Sequence, residues 1–372
     1  MKIAIQAADL DNKRIDGTRV YLLNLLKYFG KLGFGDDFDI YHRREFNPEL
    51  VPENFSNYKI KKVFSPCLWT QTGFAGSLWR DNPDVLWMPM HNIPLVRKSG
   101  LKTVVTIHDL AFKIFPESFP KKDLRQINFL TDMAVGNADK LIAISHSTKR
   151  DILKFYPHFD EKKIKVVHHG FDGKLFQNEI SENKKKEILK THNLQSKDYL
   201  LYVGAIQPRK NLETLICAFE KYKNKTNSSI KLVLAGSKAW MWEGVIEKVE
   251  KSPFREDIVL TGRVDFSSLA VLFRNAGIFV FPSLYEGFGI PILEAMASKI
   301  PVIAADNSSL REAGGEAAEY FNALDSEELF VKIKKILSDG DLRKTMIEKG
   351  AIQAEKFSWE KCAKETLDWL KC

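Results

Sequence analysis

Residues 279–298 read FVFPSLYEGFGIPILEAMAS, an apolar run, a glycine-rich turn and a second apolar run. The first run has the length of a buried strand, and Pro291 suits the first turn of a helix. We therefore predict a strand, a loop at Gly287–Ile290, and a helix that carries Glu294 about one turn from its start. This strand-loop-helix unit is typical of parallel sheets that are covered by helices.

The same alternation of short apolar runs with longer amphipathic stretches continues along the chain. The runs are KIAIQA, DVLWMP, KTVVTIHD, KLIAIS and IKVVHHG, and then YLLYVGA, IKLVLAG, DIVLTG, GIFVFPS and PVIAAD. They predict an α/β protein with two parallel sheets. The polar stretch FQNEISENKKKEILKTHNLQSKD separates the two series, so we predict an N-terminal domain at residues 1–175 and a second domain at residues 176–354.

Length and composition agree with two soluble domains. The chain has 372 residues, of which 44% are hydrophobic and 28% charged, so disorder, collagen-like repeats and coiled coils are not supported. The four cysteines lack C-x-x-C or zinc-ligand spacing, and we expect a reducing, cytoplasmic location. Asp9 interrupts the N-terminus too early for a secretory signal, and no apolar run is long enough to span a membrane.

The positive charge is concentrated in the first half. Residues 1–175 contain 27 Lys and Arg against 20 Asp and Glu, a net charge of +7, whereas the remainder contains 29 against 28. Such an excess is typical of proteins that bind nucleic acid, an anionic lipid surface or an anionic substrate. Solvated lysines on helix faces would produce the same excess.

Polar residues follow the predicted strands, at the edge where open parallel sheets bind ligands. In the first domain they include Gly17 and Thr18 in the first loop, and His108 with Asp109. In the second, GAIQPRKN at residues 204–211 places Arg209 and Lys210 before a predicted helix, which is typical of a phosphate site. A solvated basic turn is the alternative interpretation, and neither a P-loop nor a G-x-G-x-x-G motif is present.

Glu286 and Glu294 lie on either side of the loop in the opening stretch. Eight residues across such a turn can bring both carboxylates to one edge, and the glycines let a ligand approach the backbone. Alternatively, Glu294 complements the helix N-terminus and Glu286 is exposed.

Together these motifs resemble the E-x7-E signature of the retaining glycosyltransferases of the GT-B fold, glycosyltransferase family 4, in the mannosyltransferase-like branch. The resemblance covers nearly the whole chain, through VGAIQPRKNLETL, LTGRV, PVIAADNSSLREAGGEAA and FSWEKCAKETL, and through DGTRVYLLNLL, TIHDL, IAISHSTKRDI and VVHHGFD. It implies two Rossmann-like lobes whose parallel sheets face each other across a cleft. It also implies that the helix of residues 355–372 returns to the N-terminal domain.

The resemblance also implies roles for individual residues. His108 would face the anomeric centre and Glu286 the transferred sugar, as the catalytic pair, while Asp109 supports His108 or caps a helix. Glu294 would bind the ribose of the donor. The full set of implied donor-binding residues is Gly17, Thr18, Gly204, Arg209, Lys210, Gly287, Phe288, Gly289, Ile290 and Glu294. One departure is that Ala205 and Ile206 follow Gly204 where many members carry arginine, so Lys210 is the safer phosphate ligand.

The implied reaction is retaining transfer of mannose or a similar hexose from a nucleotide-diphosphate sugar, with GDP-mannose favoured, to a saccharide hydroxyl. The implied acceptor is an anionic or lipid-linked precursor of lipopolysaccharide or cell-surface polysaccharide, met at the inner face of the membrane through the basic first lobe. The candidate basic residues are Arg43, Arg44, Lys59, Lys61, Lys62, Lys121, Lys122 and Arg125.

We expect no cofactor, no metal and no nucleic acid partner. The D-x-D pairs Asp9/Asp11, Asp37/Asp39 and Asp339/Asp341 are interpreted as turns or caps. Two alternatives remain, a nucleotide-sugar epimerase of similar architecture and a non-catalytic protein that binds anionic ligands.

Overall fold

The structure, a computed structural model, describes residues 1–13, 15–33, 35–178 and 180–372. It divides into two compact units. The first unit comprises Met1–Ile114, Lys121–Gly170 and Ser358–Cys372, and the second comprises Phe115–Pro120 and Phe171–Phe357. The chain therefore enters the second unit after Gly170, a few residues before the boundary that we predicted between residues 175 and 176.

The first unit is built on a parallel sheet of seven strands in the order β3-β2-β1-β4-β5-β6-β7. The strands are β1 Lys2–Gln6, β2 Asp37–His42, β3 Tyr58–Lys62, β4 Val85–Met88, β5 Lys102–Ile107, β6 Lys140–Ala143 and β7 Ile164–Val166. The helices are α1 Gly17–Leu32, α2 Ala75–Asp81, α3 Ala111–Ile114, α4 Lys121–Asn137 and α5 His146–Phe155. The central strands are almost wholly buried, because helices cover both faces of such a sheet.

The second unit contains a parallel sheet of six strands in the order β10-β9-β8-β11-β12-β13. The strands are β8 Tyr199–Val203, β9 Lys231–Ala235, β10 Ile258–Gly262, β11 Ile278–Phe281, β12 Val302–Ala305 and β13 Glu319–Phe321. The helices are α6 Gly173–Gln177, α7 Glu182–Thr191, α8 Leu212–Thr226, α9 Glu243–Glu250, α10 Phe266–Asn275, α11 Ile290–Ala297, α12 Leu310–Gly314, α13 Ser326–Ser338 and α14 Gly340–Ala354. Two Rossmann-like parallel sheets confirm the predicted α/β class.

A short segment of the first half of the chain, Phe115–Pro120, belongs to the second unit. The ring of Phe115 lies 6.2 Å from that of Tyr285, and the ring of Phe119 lies 5.6 Å from that of Trp240. The indole Nε1 of Trp240 also donates a hydrogen bond to the carbonyl oxygen of Ser118 at 2.7 Å. Hydrophobic periodicity does not predict this segment, because its contacts are made with residues more than a hundred positions away.

The last helix, α15 Trp359–Lys371, packs in the first unit. The Trp359 ring lies 6.2 Å from the ring of Tyr21 and 5.8 Å from that of His169. The backbone of Gly170 approaches the start of this helix so closely that a Cβ atom at this glycine would lie 2.1 Å from the Trp359 nitrogen. In the described ranges, no helix combines the length and apolar character that spanning a bilayer requires.

We predict that Gly170→Ala lowers the free energy of unfolding by about 1 to 3 kcal/mol, because the added methyl group overlaps the backbone of Trp359. Urea unfolding measures the change. The matched control is Gly136→Ala, at an exposed position inside α4 where a Cβ atom meets nothing within 4 Å. This control should raise the free energy of unfolding by about 0.5 to 1 kcal/mol. Equal unfolding midpoints for the two variants would refute the close approach.

Candidate functional site

The second unit brings three of the predicted residues into one charged cluster. Strands β8 and β11 are hydrogen-bonded neighbours, so the loops that follow them leave the sheet side by side. Lys210 Nζ lies 2.5 Å from Glu286 Oε1, and Arg209 Nη1 lies 3.5 Å from Glu286 Oε2. Arg209 Nη1 also donates a hydrogen bond to the carbonyl oxygen of Tyr285. The cluster therefore joins positions 76 residues apart in sequence.

The cluster carries one more positive than negative charge and is nearly buried, since its three side chains are 11–12% exposed. Burial by itself raises the pKa of Glu286, but the charges of Lys210 and Arg209 outweigh burial and hold this pKa below its ordinary value. Glu286 is therefore ionised at neutral pH. The cluster therefore has a net positive charge, and it lies where the carboxyl ends of parallel strands bind ligands.

The loop between Glu286 and α11 has the predicted form. Gly289 has a φ of +113°, which favours glycine, and it precedes Ile290, the first residue of α11, with Pro291 in the first turn. Phe288 is only 3% exposed and its ring packs 5.4 Å from that of Phe357. The predicted role of Phe288 in donor binding can therefore involve only its backbone.

Two serines that we did not predict hold this loop. The Ser309 hydroxyl lies 2.9 Å from the Glu286 carbonyl oxygen and 3.0 Å from that of Phe288. The backbone N–H of Glu286 donates to Ser308 Oγ at 3.1 Å. A serine pair immediately after a buried strand end, in AADNSS, is the sequence signal that could have identified them.

Glu294 lies on α11 in a different electrostatic environment. Burial, followed by the charge of Asp172, raises the pKa of Glu294 from 4.5 to about 8. Asp172 also caps α6, where its carboxylate accepts a hydrogen bond from the Leu175 N–H. Glu294 is therefore mainly protonated at neutral pH, and Asp172 is a neighbour that sequence reasoning missed.

Glycines at the ends of β8 and β9 bring two backbone segments close together. Gly204 has a φ of +153° and donates its N–H to the carbonyl oxygen of Ala235, and Gly236 has a φ of +156°. A Cβ atom at Gly236 would lie 1.9 Å from the Gly204 carbonyl oxygen. Ile206 is 2% exposed, so this part of the loop packs in the interior and Arg209 and Lys210 supply the cations.

In the first unit, His108 follows β5 and is 7% exposed. Because a carbonyl oxygen can only accept, His108 donates its Nε2–H to Pro89, at 2.8 Å. Its Nδ1 is then a buried acceptor that has no hydrogen-bond partner in the described ranges. Burial lowers the pKa of His108, so the ring is neutral. Asp109 accepts a hydrogen bond from the Ala111 N–H at 2.9 Å, which is the predicted capping role.

Gly17 and Thr18 begin α1 and do not lie in a loop as we expected. Asp16 is the N-cap and accepts hydrogen bonds from the Arg19 N–H and, at 2.7 Å, from the Thr18 hydroxyl. A phosphate at this helix start would lie beside a carboxylate. Of the two predicted phosphate sites, the cluster in the second unit therefore has the charge that suits an anion better.

The basic residues predicted in the first unit are not all available to a partner. Lys61 Nζ lies 2.8 Å from Asp39 and 2.9 Å from Asp81, so this lysine belongs to an internal network. Arg43 Nη2 lies 3.0 Å from Asp11. Lys61 is the clearest correction, because its charge compensates the fully buried Asp39.

Comparison with known proteins identifies related sequences. A family model described as glycosyl transferases group 1 matches residues 183–353, and one described as glycosyltransferase family 4 matches residues 15–174. The O-antigen chain mannosyltransferase B of Escherichia coli is 28% identical over 270 residues, 73% of this chain and 70% of the relative. The O-antigen chain mannosyltransferase RfbU of Salmonella typhimurium is 27% identical over 83% of this chain and 78% of the relative. An uncharacterized glycosyltransferase, MJ1178, of Methanocaldococcus jannaschii is 33% identical over a match that covers 72% of this chain and 68% of the relative.

Solved structures agree on the fold. A sucrose-phosphate synthase from Thermosynechococcus elongatus has a TM-score of 0.76 at 19% identity, and the match covers 99% of this chain and 98% of that one. Anabaena Alr3699/HepE, in complex with UDP-glucose, also has a TM-score of 0.76, at 16% identity with 99% of both chains covered. These similarities confirm the predicted GT-B fold class.

The opposite pKa shifts of the two glutamates lead to a stability prediction. Because the folded-state pKa of Glu294 lies above 4.5, the folded protein binds this proton more tightly than the unfolded chain. Stability is therefore lost as the pH rises toward 8. We predict that Glu294→Gln removes this loss. In urea unfolding, the variant should gain stability relative to the wild type between about pH 5.5 and about pH 8.5.

Glu286→Gln is the matched control. The pKa of Glu286 is held below its ordinary value, so its ionised form stabilises the folded state above that value and loses this effect only in more acidic solution. The difference in free energy of unfolding between Glu286→Gln and the wild type should thus be the same at about pH 5.5 as at about pH 8.5. A Glu294→Gln profile parallel to that of the wild type would show that Glu294 titrates normally.

Proposed function

Because the chain belongs to the group 1 glycosyl transferases, we propose that it moves a hexose from a nucleotide-diphosphate sugar to a saccharide hydroxyl with retention of configuration. The observation that carries the proposal is the cluster of Arg209, Lys210 and Glu286 after adjacent strands. Negative charge develops on the diphosphate as the sugar leaves. A nearly buried cluster with a net positive charge stabilises such charge more strongly than the same groups would in water.

The proposed reaction needs no covalent intermediate with the protein. The bond between the anomeric carbon and the diphosphate oxygen breaks, and the acceptor oxygen bonds to the same face of the sugar. The acceptor proton passes to the departing phosphate. Neutral His108 faces the anomeric centre with its Nδ1 lone pair, Glu286 contacts the sugar, and Glu294 binds the ribose. The backbone N–H groups at the start of α11 add to the positive field at the diphosphate.

We propose mannose as the sugar and GDP-mannose as the donor. The support comes from relatives, since the mannosyltransferases of Escherichia coli and Salmonella typhimurium match most of this chain. Their O-antigen products also support a lipid-linked or lipopolysaccharide precursor as the acceptor. We propose that no metal takes part, because Lys210, Arg209 and the start of α11 supply positive charge to the diphosphate.

A nucleotide-release assay tests the proposed reaction and the roles of the two glutamates. GDP-mannose, UDP-glucose and ADP-glucose are supplied in EDTA, with and without a synthetic lipid-linked oligosaccharide that ends in mannose. We expect acceptor-dependent release of GDP. Glu286→Gln should chiefly lower kcat, by roughly 10- to 150-fold, because its contact strengthens as charge develops. Glu294→Gln should mainly raise the KM for the donor, because ribose binding is the same in the ground and transition states.

Binding of GDP alone is the control for these roles. Calorimetry should show that Glu286→Gln binds GDP almost normally and that Glu294→Gln binds it poorly. Equal GDP binding by both variants, or a loss only in Glu286→Gln, would refute the assignment. Loss of activity in EDTA that Mn²⁺ or Mg²⁺ restores would disprove metal independence, and nucleotide binding without any sugar transfer would favour a non-catalytic protein.

We further propose that the first unit meets an anionic membrane through two loops, the one that follows β3 and the one between β4 and β5. The apolar side chains of these loops are unusually exposed, 86% at Phe64, 74% at Leu68 and 68% at Val96. Gln71, three residues after Leu68, joins the loops: its Oε1 accepts a hydrogen bond from the Leu95 N–H at 2.9 Å. Residues 54–80 and 85–108 contain seven Lys and Arg, of which Lys61, Lys62 and Arg80 are ion-paired with Asp39, Asp81 or Glu45, so the cations that this stretch offers are Lys59, Arg97, Lys98 and Lys102. Apolar side chains flanked by cations match a bilayer that contains anionic lipids.

Vesicle sedimentation tests this surface. The wild type should bind vesicles that contain phosphatidylglycerol, bind phosphatidylcholine vesicles much less, and lose binding in high salt. Phe64→Ser combined with Leu68→Ser should abolish binding. Phe129→Ser, which removes a 61% exposed side chain on α4, should leave it unchanged. Equal binding by both variants, or self-association that the double variant removes, would exclude a membrane at this surface.

A further inference from the structure

We infer that His91 is a positioning residue for His108, an inference that rests on the proposed function. His91 is separated from β4 by two residues and lies in the loop that meets the end of β5, its neighbour in the sheet. This loop holds His108 at two points. The Pro89 carbonyl oxygen accepts the His108 Nε2–H at 2.8 Å, and His91 Nε2 accepts the backbone N–H of His108 at 3.1 Å.

The second hydrogen bond determines the tautomer of His91. A backbone N–H can only donate, so His91 Nε2 must carry a lone pair and the proton must sit on Nδ1. That Nδ1 lies 3.1 Å from the Thr131 hydroxyl oxygen, which can accept the proton. Burial lowers the pKa of His91 to about 4, so the ring stays neutral. Thr131, on α4, is itself fully buried, and it fixes the outer side of the His91 ring.

These contacts leave His108 one polar atom for a ligand. Its N–H is bonded to His91, its Nε2–H to Pro89, and its carbonyl oxygen accepts from the Thr148 hydroxyl at 3.4 Å. The remaining atom, Nδ1, is buried and has no partner in the described part of the chain. The direction of the Nδ1 lone pair therefore depends on the two points at which the loop holds His108. Of these two, only the His91 contact is made by a side chain that substitution can remove.

A purely structural role for His91 predicts a different outcome from a positioning role. A structural residue would lower stability and leave the activity of the folded molecules intact. A positioning residue would lower kcat, because a small displacement of a catalytic group lowers the rate of the chemical step more than it weakens substrate binding. The two roles therefore separate in kinetics measured on folded protein.

The test uses His91→Leu, which removes both hydrogen bonds at similar volume, and His91→Gln, whose Oε1 can accept the His108 N–H again. With GDP-mannose and the lipid-linked oligosaccharide, we expect His91→Leu to lower kcat about 10- to 100-fold and to change the donor KM less than about twofold. His91→Gln should recover most of kcat. Thr131→Val, which removes only the outer hydrogen bond of the His91 ring and leaves its contact with His108, should lower kcat less than His91→Leu does.

Hydrogen exchange gives a second readout that does not need activity. The His108 amide should exchange faster in His91→Leu than in the wild type, and more slowly again in His91→Gln. Wild-type kcat in folded His91→Leu would overturn the inference, as would equal losses of kcat in the leucine and glutamine variants. If His91→Leu does not fold, the shorter His91→Asn replaces it with the same expected loss. An inactive wild-type protein would instead refute the proposed function.

Discussion

The parallel pairing of β8 with β11 is the constraint on which the candidate site depends. Parallel neighbours end at the same edge of a sheet, so their following loops meet however far apart they lie in sequence. This pairing brings Lys210 to Glu286 across 76 residues. In the loop after β11, Gly289 allows the turn into α11, and the hydroxyl groups of Ser308 and Ser309 bind the backbone of Glu286. Without the shared edge, the same residues would form two unrelated solvated turns.

The two glutamates show how environment separates chemically identical groups. Glu286 is nearly buried beside two cations, and its pKa is lowered, whereas Glu294 is half-buried near Asp172, and its pKa is raised to about 8. One carboxylate is therefore ionised and the other mainly protonated at neutral pH. Carboxyl groups with divergent pKa values can take different roles in one site. In the proposed reaction, Glu286 contacts developing charge and Glu294 binds neutral hydroxyl groups.

His108 is held by hydrogen bonds between neutral groups, whereas the cluster of Arg209, Lys210 and Glu286 is held by charge. Burial lowers the pKa values of His91, His108 and His169, so these rings are neutral in the folded protein. Neutral imidazole both donates and accepts, and this allows His108 to be held through Nε2 while Nδ1 remains an acceptor. A charged ring at either His91 or His108 would add a proton donor where an acceptor is needed. The apolar surroundings of these histidines are therefore part of the site.

Local sequence patterns determined the α/β class and the strand, loop and helix at residues 279–298, and they included helix capping as one of two roles for Asp109. These features depend on periodicity, glycine conformation and capping, which act over a few residues. Only the tertiary structure decided that Lys61 compensates a buried carboxylate and that His91 holds His108. Each of those contacts joins groups whose burial and hydrogen bonding depend on how strands and helices pack. The charges that packing brings beside each glutamate also determine which of the two keeps its proton, and no local pattern in the sequence encodes them.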